Sequence, residues 1–201
     1  MKPETTEDIL ELMDGYILSA VVGTAMELGV FWLLAKKPLP ATDVAESLKI
    51  PLNRCHHLLQ ILCKLGLLEN NTKGYTPSIM ARGAILDTLS QDTWAFKARE
   101  YRDSSLFVRD LALNISKPMS TWQTLNLTPP DYFQQIKEDP IFAARFTRKL
   151  YEIHGPLAEQ LANMLDLQGV TSLLDLGGGS GVVSLCSSAQ STRSDLCRSG
   201  R

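Results

Sequence analysis

Little in this sequence offers a covalent staple or a metal cage. Its four cysteines, at 55, 63, 186 and 197, make no C-x-x-C pair, and a chain of 201 residues has enough apolar surface to fold without disulfides. A small stapled scaffold is excluded, and a reducing, cytoplasmic setting is expected. The only histidines, His56, His57 and His154, have no third ligand at metal spacing, so no metal site is expected. Charge of one sign is also lacking: 20 Lys and Arg face 22 Asp and Glu, a formal charge of −2. Such a chain exerts no broad pull on phosphate backbones or anionic lipid. The longest uncharged stretch near the start, Gly15 to Met26, is twelve residues between Asp14 and Glu27. That is short of the ~20 apolar residues that span a bilayer, and the first residues are acidic where a secretory leader is basic. Neither membrane nor nucleic acid is expected as a partner.

Apolar residues are present in quantity, 44% of the chain, enough to bury a core. From Glu7 to Ala35 they recur at helical spacing through Ile9, Met13, Tyr16, Ile17, Ala20, Val21, Met26, Val30, Phe31 and Leu34, interrupted by Gly15, Gly23 and Gly29. Two or three packed helices are predicted. Their apolar surface is wider than one stripe, and both a dimer seam and plain intramolecular core account for it.

Between Pro38 and Pro77 the pattern changes. Thr42 or Asp43 caps a short helix ending at Leu48, residues 50–53 turn, and Arg54 to Leu65 sets Leu58, Ile61, Leu62 and Leu65 on one face before Gly66. Two short strands around residues 70–74 follow, which makes the predicted unit a winged helix. Its second helix offers Asn53, Arg54, His56, His57, Gln60 and Lys64, only two of them firmly cationic, a thin footprint for a DNA reader. Residues 81–165 read as helical throughout, with Trp94, Phe96, Tyr101, Phe107, Trp122, Tyr132, Phe133, Phe142, Phe146 and Tyr151 spread along them. These rings fit either a flat pocket for an aromatic substrate or core packing between helices. Pro129-Pro130 and Asp139-Pro140 mark loops or helix starts, and His154-Gly155-Pro156 divides a helix over 142–153 from another over 157–165.

The chemistry lies further on. Gln168-Gly169 leads into an apolar strand, Thr171 to Leu176, followed by Gly177-Gly178-Gly179-Ser180-Gly181 and an apolar helix onset, Val182 to Leu185. A strand, glycine turn and helix in that order open a doubly wound α/β domain. Side chains at 177, 179 and 181 would block backbone approach or demand positive φ, so the pattern seats a nucleotide-like ligand against bare backbone. The dinucleotide spacing G-x-G-x-x-G is not met, because the third glycine stands at 181 and Val182 follows. A carboxylate at Asp175 suits S-adenosylmethionine better: it attracts an ammonium and a sulfonium where it would repel a diphosphate. A glycine turn without ligand is the remaining reading.

Taken in order, the helical and winged-helix module, the aromatic-rich connector and Leu173-Leu174-Asp175-Leu176-Gly177-Gly178-Gly179-Ser180-Gly181 resemble the S-adenosylmethionine-dependent small-molecule O-methyltransferases, the family of the acetylserotonin (hydroxyindole) and plant caffeic-acid enzymes. The resemblance runs from about residue 10 to residue 185. It implies a mainly α fold: a winged-helix dimerisation domain over 1–90, a helical connector over 91–165, and over 166–185 the first strand, glycine loop and helix onset of a Rossmann-like methyltransferase domain. It implies a homodimer through the N-terminal domain and a small, aromatic hydroxyl substrate. Asp175, Gly177, Gly178, Gly179, Ser180 and Gly181 would line the S-adenosylmethionine site. Phe146 would face it from a Phe-x-x-x-Met run whose last position is here Leu150. The family places its histidine base later than the cofactor loop, so no catalytic residue is assigned, and the chain is expected to be inert; the alternatives are a non-catalytic partner that dimerises through residues 10–90 and a winged-helix DNA-binding regulator.

Residues 186–201 hold five serines and half the cysteines. They are expected to end the helix begun at Val182 and to form an atypical, disordered tail. Suitable codons for this segment, read one base later, give a helix end and an apolar strand closed by an acidic residue. A frameshift and a natural splice or truncation product both explain it.

Overall fold

The computed structural model describes residues 2–129, 131–167 and 170–196, without the side chains of Tyr132 and of residues 190–196. The expectations at Pro130, Gln168-Gly169 and 197–201 lie outside the described residues. The chain divides into two compact units, residues 1–129 and 130–201.

The first unit opens with α1 (Thr6–Leu28), capped by Thr5 and Asp8. The Asp8 carboxylate accepts the backbone N–H groups of Glu4 and Thr5, which hold its pKa below the usual carboxylate value. Neither Gly15 nor Gly23 breaks the helix. Gly23 faces Ala98, and a Cβ there would meet the Ala98 Cβ at 3.7 Å, an ordinary van der Waals contact. The break comes at Gly29, left-handed at φ 71°, after which α2 (Val30–Lys36) buries Val30, Phe31 and Leu34.

The helix, turn, helix and hairpin expected next are present as α3 (Ala41–Leu48), α4 (Leu52–Lys64), β1 (Leu68–Asn71) and β2 (Gly74–Pro77). The strands pair antiparallel, Leu68 opposite Pro77 and Asn71 opposite Gly74. Two details differ. Pro40, with its preset φ, begins α3, and Thr42 bonds its neighbour Asp43 instead of capping. The buried face of α4 is Cys55, Leu59 and Leu62, with Leu58 half-buried beside it. Burial raises the thiol pKa of Cys55 and Cys63. A short α5 (Ile79–Ala81), capped by Ser78, passes into one π turn, Arg82–Leu86. Then α6 (Gln91–Asp103) lies along α1, where Arg102 donates two hydrogen bonds of 2.8–2.9 Å to Glu27. The connector is less continuous than expected: α7 (Ser105–Arg109), α8 (Leu111–Ile115) and α9 (Thr121–Thr124) are single turns.

In the second unit, α10 (Tyr132–Glu138) precedes α11 (Pro140–Met164), started by the Asp139 cap and by Pro140 in the first turn. The expected division at His154-Gly155-Pro156 does not occur. Pro156 sits inside α11, and burial of Ala158 and Ala162 with packing on α12 (Val182–Leu196) offsets the ~3 kcal/mol that an interior proline costs. The helix expected to dissolve after Leu185 runs on to Leu196. It contains no glycine or proline, serine lowers helix stability only modestly, and Ser187 is buried.

The fold class is thus mainly α, as expected, with one element changed in kind. The segment 171–176 is not a ladder strand: the described residues contain a single sheet, β1–β2, and Leu174 and Leu176 are more than three-quarters exposed. A strand is defined by the neighbour that takes its N–H and C=O groups, and periodicity along one segment says nothing of that neighbour.

Gly74 gives the hairpin a local test. It has φ 117°, and a Cβ there would collide with the Leu39 carbonyl. Gly74→Ala is expected to lower unfolding free energy by at least about 1–3 kcal/mol in urea titration. Gly83→Ala, at a helical position with open space and no positive φ, should keep or raise the midpoint.

Candidate functional site

The site expected from the sequence is one connected turn in the second unit. The apolar segment 170–176 ends at Asp175 and Leu176, residues 176–180 turn, and α12 starts at Val182. The turn needs glycine three times: Gly177, Gly179 and Gly181 have φ of 75°, 55° and 71°, where an L side chain is strained by about 1–2 kcal/mol. Gly178 differs: a Cβ there would displace the Asp175 carboxylate from its place over the bend. A hydrogen bond of 2.8 Å from the Gly181 N–H to the Gly178 carbonyl closes the bend. The result is bare backbone at the head of a 15-residue helix.

Asp175, Gly177, Gly178, Gly179, Ser180 and Gly181 are therefore together. Asp175 is exposed and turned inward over the bend, its Oδ2 accepting the Ser184 hydroxyl. Ser184 had no signal in the sequence. A contact across a turn between residues nine apart matches neither helix nor strand periodicity.

The remaining expected residue, Phe146, is on α11. One turn on, Leu150 reaches the loop, its Cδ1 3.8 Å from where a Gly179 Cβ would stand. Phe146 stacks on Phe142 with centroids 5.9 Å apart and carries the Lys149 ammonium 4.3 Å above its ring. Lys149 is itself buried. An open cavity of about 210 Å³ is lined by Leu167, residues 170–173 and Ser187-Ser188, and neither Asp175 nor the glycines of the bend line it. Among the described residues no cluster of three His, Cys, Asp or Glu is placed to hold a metal.

Among the described residues, several of the aromatic rings are engaged separately. Trp94 donates its indole N–H to the Ile85 carbonyl and packs on the first unit's core. Phe107 meets Trp122 edge-on at 4.6 Å, and Tyr101 and Phe133 are exposed.

The donor set fits a cationic nucleoside ligand: one carboxylate, a Cβ-free cradle and a helix head that favours a ligand carboxylate. A helical module thus precedes a glycine bend of the kind that seats a cofactor. Comparison with known proteins names the type. The O-methyltransferase dimerisation domain model matches residues 10–83 and the O-methyltransferase domain model matches residues 111–191. Together these two models cover most of the chain, which belongs to the O-methyltransferase family they describe. It is 29% identical over 174 residues to the tetracenomycin polyketide synthesis 8-O-methyl transferase TcmO of Streptomyces glaucescens, covering 87% of this chain and 50% of that protein. To demethylspheroidene O-methyltransferase of Cereibacter sphaeroides it is 27% identical over 177 residues, covering 87% and 45%. The crystal structure of human N-acetylserotonin methyltransferase in complex with S-adenosylmethionine is similar at a TM-score of 0.72 and 25% identity, over 94% of this chain and 58% of that one. The chain spans about half the length of the curated relatives it matches.

Proposed function

We propose that the chain carries the dimerising and cofactor-seating parts of an S-adenosylmethionine-dependent O-methyltransferase for a small aromatic hydroxyl compound in the cytoplasm. The observation that carries this reading is the left-handed bend at Gly177, Gly179 and Gly181 beside the Asp175 carboxylate. The bound S-adenosylmethionine in the similar human structure supports it. When bound, that cofactor supplies a methyl group activated on a sulfonium. The residues of this chain hold it: Asp175 attracts its positive charge, the bare backbone lets it approach, and the head of α12 favours its carboxylate. Methyl transfer is an in-line displacement, so orientation is most of the catalysis, with a base to take the hydroxyl proton. His56 and His57 lie exposed on α4 and His154 exposed on α11, none of them on the loop. The chain alone is therefore proposed to bind cofactor without turning substrate over.

The partner is a second copy held through the N-terminal unit, in keeping with the dimerisation domain that this unit matches. The winged-helix arrangement of α3, α4 and the hairpin is read as part of that module. The first three turns of α1 leave Ile9, Leu10, Met13, Tyr16 and Ile17 largely exposed, Tyr16 at 70%. Below them an apolar groove of about 440 Å³ is lined by Ile17, Ala20, Val21, Leu28, Ile50 and Leu58. On length and composition α1 is apolar enough to cross a membrane. Its last turns, however, bury Ala25 and Met26 in the core, and its first turns carry Glu7, Asp8, Glu11 and Asp14.

Two measurements check the proposal. Isothermal titration of the 201-residue chain should give micromolar S-adenosylmethionine binding, weakened at least about tenfold by Asp175→Asn through loss of a charged contact. Binding of NAD instead, or of neither, contradicts the cofactor assignment. Light scattering should find a dimer that Tyr16→Asp with Ile17→Asp converts to monomer at unchanged helicity; a monomeric wild type contradicts the partner assignment.

A further inference from the structure

Asp175 stands before the glycine bend and Ser184 after it, in the first turn of α12, and their side chains meet across the mouth of the bend. An exposed aspartate ordinarily keeps two free rotors in water. Here the Ser184 hydroxyl donates to Oδ2, and the carboxylate is drawn over Gly178, where any Cβ would displace it. The three left-handed glycines fix the backbone on which both residues stand. The carboxylate thereby has one partner within the protein at Oδ2 and acceptor capacity left for a ligand.

We propose that Ser184 is a positioning residue that pre-sets the Asp175 carboxylate for the positively charged group of the nucleoside ligand. The inference rests on the cofactor reading above and adds a residue to it. Without the hydroxyl, the carboxylate must be ordered at the moment of binding. Freezing one such side chain corresponds to about a three- to tenfold change in affinity.

The test is titration of the full chain and its variants with two ligands, S-adenosylmethionine and 5′-methylthioadenosine, the second lacking both the ammonium and the sulfonium. Ser184→Ala should weaken the first about three- to tenfold and leave the second unchanged. Ser184→Thr, which keeps the hydroxyl, should restore wild-type affinity. Adding Ser184→Ala to Asp175→Asn should cost nothing beyond Asp175→Asn alone. Hydrogen exchange of the ligand-free protein supplies a second arm: Ser184→Ala should speed exchange at Gly177–Gly179 while α11 keeps its protection. If the wild type binds neither ligand, the cofactor reading falls, and the exchange arm alone decides the role of Ser184. Equal affinity for S-adenosylmethionine in wild type and Ser184→Ala, an equal loss for both ligands, or unchanged exchange at the loop overturns the proposal.

Discussion

The chemistry open to this chain depends on a backbone that bends the wrong way for side chains. At Gly177, Gly179 and Gly181 the main chain is left-handed, so the bend between Asp175 and α12 presents peptide groups instead of Cβ atoms. The other features of the site follow from that constraint. The Asp175 carboxylate folds over Gly178 because no Cβ stands there, and Ser184 faces Asp175 because the bend returns the chain to it. Replacing these glycines removes a surface as well as adding strain, which is why a turn this costly for ordinary residues reads as a seat for a ligand.

The N-terminal unit works by another principle, burial shared unequally along one helix. The last turns of α1 enter a core with Phe31, Leu34, Leu59 and Leu62, while its first turns offer Met13, Tyr16 and Ile17 to solvent. Exposed apolar patches of this extent mark interaction surfaces. The match of residues 10–83 to a dimerisation domain agrees with that reading. The second helix of a helix-turn-helix is often a DNA reader. Here Arg54 lines the apolar groove beside α1, and the other firm cation of α4 is Lys64.

Much of this was legible in the sequence, and the parts that were not share a cause. The glycine loop could be read because positive φ selects glycine locally, and the hairpin because Gly74 and its strands obey short-range rules. Gly15 and Gly23 looked like breaks and Pro156 like a boundary, since local propensity cannot see Ala98 across from Gly23 or α12 against Ala158. Residues 171–176 have the composition of a strand and lack a ladder, because pairing belongs to two segments at once. The serine-rich stretch after Leu185 looked like a tail, yet it contains no helix breaker before Leu196. Ser184 was missed because it bonds a residue nine positions back around a turn.

The central claim, that the bend is a cofactor seat, is tested most directly by glycine-selective nitrogen labelling and two-dimensional NMR. On adding S-adenosylmethionine, the amide signals of Gly177, Gly178, Gly179 and Gly181 should move together while those of Gly15, Gly23 and Gly83 stay in place. Loop glycines that do not respond, or that respond equally to NAD, would contradict the account.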